Sequence, residues 1–161
     1  MTTQHDYKVT EHFLFSEITK SSTAARLGID NSLPDNLLDT AKKTLLRMEK
    51  VRVLIGHPII IDSMYRCLPL NRALKSADTS QHPKCEAIDF ISPAAGTPTE
   101  ICRFLLKNQD LIRWDQLILE HDWVHISWNS IPNGLQRGQV LSLLESGKYA
   151  AGLTDKKGNP L

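Results

Sequence analysis

Two short apolar runs in this chain each carry an ionisable side chain at their middle, and that placement constrains the fold more than any other feature. The run Glu86–Ile91 contains Asp89, and the run Trp123–Trp128 contains His125. Both are too short for a helix, so both read as strands. Side chains alternate along a strand, so Ala87, Asp89 and Ile91 share one face while Ile88 and Phe90 point the other way. A carboxylate or imidazole held among apolar neighbours must find a counter-charge, a set of hydrogen-bond partners or a metal, because burying it alone is costly.

The other segments supply the frame. Pro58–Asp62 is a β-branched run that reads as a buried strand. Gln116–Glu120 is separated from Trp123–Trp128 by His121 and Asp122 alone, the pattern of a tight hairpin. Apolar residues recur at helical spacing from Asn36 to Leu54, with lysines and arginines on the other face and Gly56 as the stop. A short helix is expected over Leu68–Lys75, started near Pro69, and another begins at the N-cap Thr97 and runs to about Asn108. Residues 1–35 are expected to be mostly irregular, with helical turns at Ser16–Thr19 and Ser21–Arg26, and Ser76–Lys84 to be loop. Gln139–Ser146 reads as a last amphipathic helix, and Thr154–Leu161 as a frayed tail. The expected fold is α+β: a small, mainly antiparallel sheet with helices on one side. The expected organisation is a single domain over 1–161, with its core at about 12–130 and a C-terminal helix and tail over 131–161.

Composition removes several function classes. Nineteen basic against 18 acidic residues leave a formal net charge of +1, with no basic stripe for nucleic acid. Cys67, Cys85 and Cys102 form an odd set without C-x-x-C spacing, so buried free thiols are expected rather than a disulfide frame or zinc ribbon. The N-terminal residues show no basic segment followed by an apolar one, and no apolar run reaches the ~20 residues that span a bilayer. The expectation is therefore a monomeric protein made soluble in the cytoplasm, with no membrane or nucleic-acid partner. If its target lies outside the cytoplasm, another route must deliver it.

Of the six histidines, His82 and His125 have company. His82 closes a polar loop seven residues before Asp89. Two imidazoles and a carboxylate on adjacent elements suit catalytic zinc, with a fourth position left for water. Spacing alone does not favour the metal over a structural His–Asp pair.

The wider segments narrow this choice. Ser80–Asp89 resembles the S-x-H-x-x-G-x-A-x-D motif of the zinc D-alanyl-D-alanine carboxypeptidase family, the carboxypeptidase-like branch of the M15 peptidases. That family also includes phage L-alanyl-D-glutamate endolysins and shares the hedgehog/DD-peptidase fold. Trp123–Ser127 is similar to the closing W-x-H segment, Ser63–Arg66 to S-G-Y-R, and His12 to Asn31 to the N-terminal lead-in, all in the family's order. The resemblance implies zinc on His82, Asp89 and His125, and Arg66 facing substrate. It also implies peptidoglycan stem peptides as substrate and a bacterial or phage origin. Two residues depart from the pattern: Cys85 and Met64 stand where the motifs have glycine. A positive φ at Cys85 would cost on the order of 1 kcal/mol, and its thiol would lie close enough to compete for the metal.

A zinc peptidase also needs a proton acceptor. Glu120 ends the strand before the hairpin that returns His125, and is the preferred base. Asp122 has the E-x-x-H spacing but sits in the turn, where solvent exposure is expected. Arg66, without an acidic neighbour in sequence, can grip a substrate oxygen or serve in an ion pair. Ser80, Gln81 and Trp123 are candidates for substrate contact, and Tyr65 and Gln116 for the cleft lining. His121 and His57 read as exposed. The rival to a peptidase is a zinc-containing binding module of the same fold with impaired catalysis. The sequence leaves open whether a peptidase of this kind trims ends or cuts internally.

Overall fold

The computed structural model describes residues 6–131 and 134–161, so His5 lies outside the described residues. Two short helices open the chain, α1 (Phe15–Thr19) and α2 (Ser22–Leu27). The Ser21 hydroxyl caps α2 by accepting from the Ala24 N–H at 3.1 Å. The long helix α3 spans Leu38–Ile55 and ends at Gly56, whose φ of 74° is the left-handed conformation glycine adopts without strain. After strand β1 (Ile60–Ser63) come α4 (Leu68–Ala73), a single 3₁₀ turn at His82–Lys84, and β2 (Ala87–Ile91). Helix α5 (Pro98–Lys107) starts at a capping box: Thr97 Oγ1 accepts from Glu100 N–H, and the Glu100 carboxylate accepts from Thr97 N–H at 2.7 Å.

The hairpin expected around His121 and Asp122 is present as β3 (Gln116–Leu119) and β4 (Val124–Ser127). The chain then departs from expectation. Residues Gln139–Leu143 form strand β5 rather than a helix, and Tyr149–Ala151 form β6. Strand β5 pairs with β3 in parallel register, Gln116 with Gln139 and Leu119 with Ser142. The open edge of β3 supplied backbone partners, and that tertiary pairing outweighed a local helical pattern. The tail is not frayed either. Thr154 is buried and bridges to Pro160, the Leu161 N–H donates to the Leu153 carbonyl at 3.0 Å, and Asp155 ties the intervening turn.

The sheet has six strands in the order β1-β2-β4-β3-β5-β6, and every neighbouring pair except β3–β5 is antiparallel. The architecture is α+β. One face is apolar: Ile88, Phe90, Val124, Ile126, Leu117 and Leu119 pack against Leu45, Met48 and Val51 of α3 and Ile101 and Leu105 of α5. Each such side chain, fully withdrawn from water, contributes roughly 1.5–3 kcal/mol. The alternation that fills this face turns Asp89, His125, Gln116 and Ile118 to the other.

Candidate metal centre

The centre is built from strand register. Asp89 on β2 pairs with His125 on β4, which pairs in turn with Ile118 on β3. Antiparallel partners project to the same side, so the carboxylate and the imidazole meet: His125 Nδ1 lies 2.9 Å from Asp89 Oδ1. The third member arrives from the 3₁₀ turn. His82 is almost fully buried, and its Nε2 lies 3.2 Å from Asp89 Oδ1 and 3.3 Å from His125 Nδ1. The three donor atoms fall within 4.8 Å of one another, the one such His/Cys/Asp/Glu group among the described residues.

The surroundings show what the trio suits. His82 Nδ1 sits 2.6 Å from the Met64 carbonyl, which can only accept, so Nδ1 carries the proton and Nε2 presents a lone pair. That lone pair faces the Asp89 carboxylate and the second imidazole. Burial pushes the His82 pKa down, so protonating Nε2 is opposed. Although burial opposes its ionisation, the Asp89 carboxyl is held well below the usual carboxylate range and is ionised. An ionised carboxylate against a neutral imidazole lone pair calls for a cation between them. Tetrahedral zinc with bonds of about 2.05 Å separates its ligands by about 3.3 Å, and the observed separations of 2.9, 3.2 and 3.3 Å match that spacing. The donor set therefore fits a metal ion.

The other Asp89 oxygen, Oδ2, is taken by Arg66 Nη2. Arg66 is 9% exposed, and its Nε and Nη1 donate to Ser63 Oγ and Ser76 Oγ, each at 3.0 Å. The sequence offered Arg66 no acidic partner; the sheet provides one. Its backbone is held as well, since the Asn31 side chain donates to the Tyr65 carbonyl at 3.1 Å and accepts from Cys67 N–H at 2.8 Å.

The trio opens on a cleft of about 670 Å³, whose lining includes Arg66, Ser80, Gln81, Gln116, Glu120 and Trp123. Glu120 continues the Gln116–Ile118 face just beyond β3. Burial raises its carboxyl above the ordinary glutamate value, with His125 opposing, and the Tyr149 hydroxyl donates to its Oε1 at 3.2 Å. Tyr149 itself is pushed up to about 12 by burial and by the Glu120 charge. Ser80 Oγ accepts from the His82 N–H at 3.3 Å, shaping the turn while lining the cleft.

Asp122 is exposed in the turn and does not line the cleft. His121 takes the strained position of that turn, φ 66°, and lies 2.8 Å from the Leu143 carbonyl, to which its Nε2–H donates. His57 is exposed, while His12 pairs with Glu49 on α3 at 2.8 Å.

The two departures from the glycine pattern have different consequences. Cys85 does adopt the left-handed conformation, with φ 57°. Its thiol packs into the apolar core, where burial pushes it up to about 12, and it does not join the donor trio. Met64 has no positive φ, so methionine is unstrained there; its side chain is buried and its carbonyl orients His82.

Sequence reasoning missed one wall of the cleft. Arg137, Leu141, Leu143, Gly147 and Tyr149 belong to the β5–β6 hairpin and the chain leading into it. Reading residues 139–146 as a helix concealed them; the alternation of Leu141 and Leu143 was the available signal.

A His–Asp–His trio able to hold a metal, set on one face of an α+β sheet beside a cleft, is the arrangement that metal-dependent hydrolases use. The sequence model of the family described as peptidase M15 matches residues 11–127, and the chain belongs to that family of metallopeptidases. No curated protein matches the chain. The family match ends at the close of β4, so β5, β6 and the cleft wall they form lie beyond it.

Proposed function

We propose that this protein is a zinc peptidase that hydrolyses peptide bonds in the stem peptides of peptidoglycan. The observation that carries the reading is the trio of His82 Nε2, Asp89 Oδ1 and His125 Nδ1 at tetrahedral-edge spacing on a cleft floor, with Glu120 on the same sheet face. Family membership supports peptide hydrolysis, and the resemblance of Ser80–Asp89 to the carboxypeptidase motif supports a cell-wall peptide.

His82, Asp89 and His125 hold the metal. Bound there, zinc supplies Lewis-acid chemistry, polarising a carbonyl and acidifying water. Glu120 takes the proton of the attacking water and delivers it to the leaving amine, which suits a carboxyl held above its ordinary value. The Tyr149 hydroxyl fixes the rotamer of Glu120. Arg66 orients Asp89 through Oδ2, so that Oδ1 is the oxygen presented to the trio. Ser80, Gln81 and Trp123 contact substrate along the cleft. The residues act within a single domain that includes the C-terminal hairpin.

The test is elemental analysis and turnover together. Purified protein should carry about one zinc per chain and cleave soluble stem peptides. Chelation should abolish cleavage and zinc should restore it. His82→Ala, Asp89→Ala and His125→Ala should each lose metal, whereas His57→Ala should keep it. Peptide binding without cleavage by the zinc-loaded protein would replace this reading with that of a binding module.

A further inference from the structure

The cleft has three cationic side chains among its lining residues, Arg66, Lys75 and Arg137, and they are held very differently. Arg66 spends each of its three nitrogens on Ser63, Ser76 and Asp89. Lys75 is exposed, and no hydrogen bond or ion pair of its ammonium group is present among the described residues. Arg137 combines a fixed position with open donors. Its Nε lies 3.0 Å from Asp115 Oδ1 and its Nη2 2.6 Å from Oδ2, a two-pronged contact along one edge of the guanidinium. Its backbone N–H also donates to Asp115 Oδ1, at 3.1 Å.

Asp115 is 2% exposed, whereas the Arg137 side chain is 56% exposed. A buried carboxylate thus anchors the guanidinium of a residue that lines the cleft. The Nε/Nη2 edge is used, and the Nη1/Nη2 edge of this half-exposed side chain carries a further parallel pair of N–H donors. No partner for Nη1 is present among the described residues. Two parallel donors at fixed spacing match the two oxygens of a carboxylate.

We propose that Arg137, positioned by Asp115, is the substrate-carboxylate anchor of this cleft. The proposal rests on the peptidase reading for the identity of the peptide, but its chemistry concerns only a free carboxylate. The location follows from the sheet. Asp115 immediately precedes β3, and Gln116 at the start of that strand bonds Gln139 just after Arg137, at 2.7 Å. Ile118, two residues along β3, pairs with His125. Substrate therefore lies with its carboxylate toward the start of β3 and its scissile region over the trio, while Glu120 lies beyond the strand's other end. Arg137 lies past residue 127, so the anchor belongs to the cleft wall that the family match does not include.

The experiment measures binding rather than turnover. A zinc-loaded Glu120→Gln protein is titrated by calorimetry with a soluble stem pentapeptide bearing a free C-terminal carboxylate, and with the same peptide as its C-terminal amide. The free acid should bind about tenfold or more tightly than the amide, as a charge-assisted two-pronged contact implies. Arg137→Ala strands a buried carboxylate, so the principal variant is the double change Arg137→Gln with Asp115→Asn, which keeps size and polarity. It should bring acid and amide within about twofold of each other while amide affinity stays unchanged. Asp115→Asn alone should weaken the discrimination partly, an effect that a merely structural Asp115 would not produce. A preference untouched by these variants overturns the proposal. So does a preference lost only on Lys75→Ala, the absence of any preference, or the absence of binding by folded protein. If the acid preference depends on Arg137 but the protein with Glu120 intact cuts no peptide, the anchor stands and the peptidase reading falls.

Discussion

Replacing Arg66 with methionine separates two roles that a single ion pair combines. Methionine keeps much of the buried stem but removes the guanidinium, leaving Asp89 Oδ2 without its partner and the hydroxyls of Ser63 and Ser76 without their donor. The arginine and aspartate side chains are 11% and 7% exposed, so solvent can do little to compensate. Breaking a buried pair from one side costs roughly 3–5 kcal/mol. The His125 imidazole, its Nδ1 2.9 Å from Oδ1, still offers Asp89 partial compensation, which favours the lower end. For a chain of 161 residues, about 3 kcal/mol lowers Tm by roughly 10 °C. That loss applies to the metal-free protein. With zinc on the trio, Asp89 has a second counter-charge, so the penalty should fall by half or more. The assay is thermal unfolding of wild-type and Arg66→Met protein, each with chelator and with saturating zinc. Equal losses in both conditions would refute the assignment of Asp89 as the shared partner of Arg66 and the metal, and so would an unchanged Tm in chelator.

Other expectations follow from neighbouring contacts. Glu120→Gln should retain zinc and Tm but lose about 10²-fold or more in kcat; full activity would move the base elsewhere. Tyr149→Phe removes a hydrogen bond that favours the ionised form of Glu120, so the acid limb of kcat/KM should move to higher pH. A limb that stayed fixed or moved down would show that Glu120 is not the group titrating. Thr44→Val strips the hydroxyl that donates to the Cys85 carbonyl at 2.7 Å, leaving a buried acceptor unpaired. It should cost about 1–3 kcal/mol in urea denaturation without changing zinc content.

The legible parts of this molecule are those where local pattern and tertiary role agree. Helix α3 announced itself by apolar periodicity and Gly56, α5 by Thr97 and Glu100, and the β3–β4 hairpin by the shortness of its turn. Asp89 and His125 could be read because an ionisable group inside an apolar strand demands a partner, and their registry is what that demand produced. Residues 139–151 were illegible for a different reason. Val140, Leu141, Leu143 and Leu144 satisfy a helical spacing, and only the vacant edge of β3 decides for a strand. With that hairpin went Tyr149 and Arg137, whose relation to Glu120 and Asp115 exists only once the sheet is assembled. The partner of Arg66 was hidden likewise, since Asp89 lies 23 residues away in sequence.

The most direct test of the central claim is mass spectrometry of the fragments released when zinc-loaded protein is incubated with defined muropeptides. The account predicts cleavage at one peptide bond of the stem, absent with chelator and absent for Asp89→Ala, with cleavage by the wild-type protein restored by zinc. Intact muropeptides after prolonged incubation with fully zinc-loaded, folded protein would contradict it.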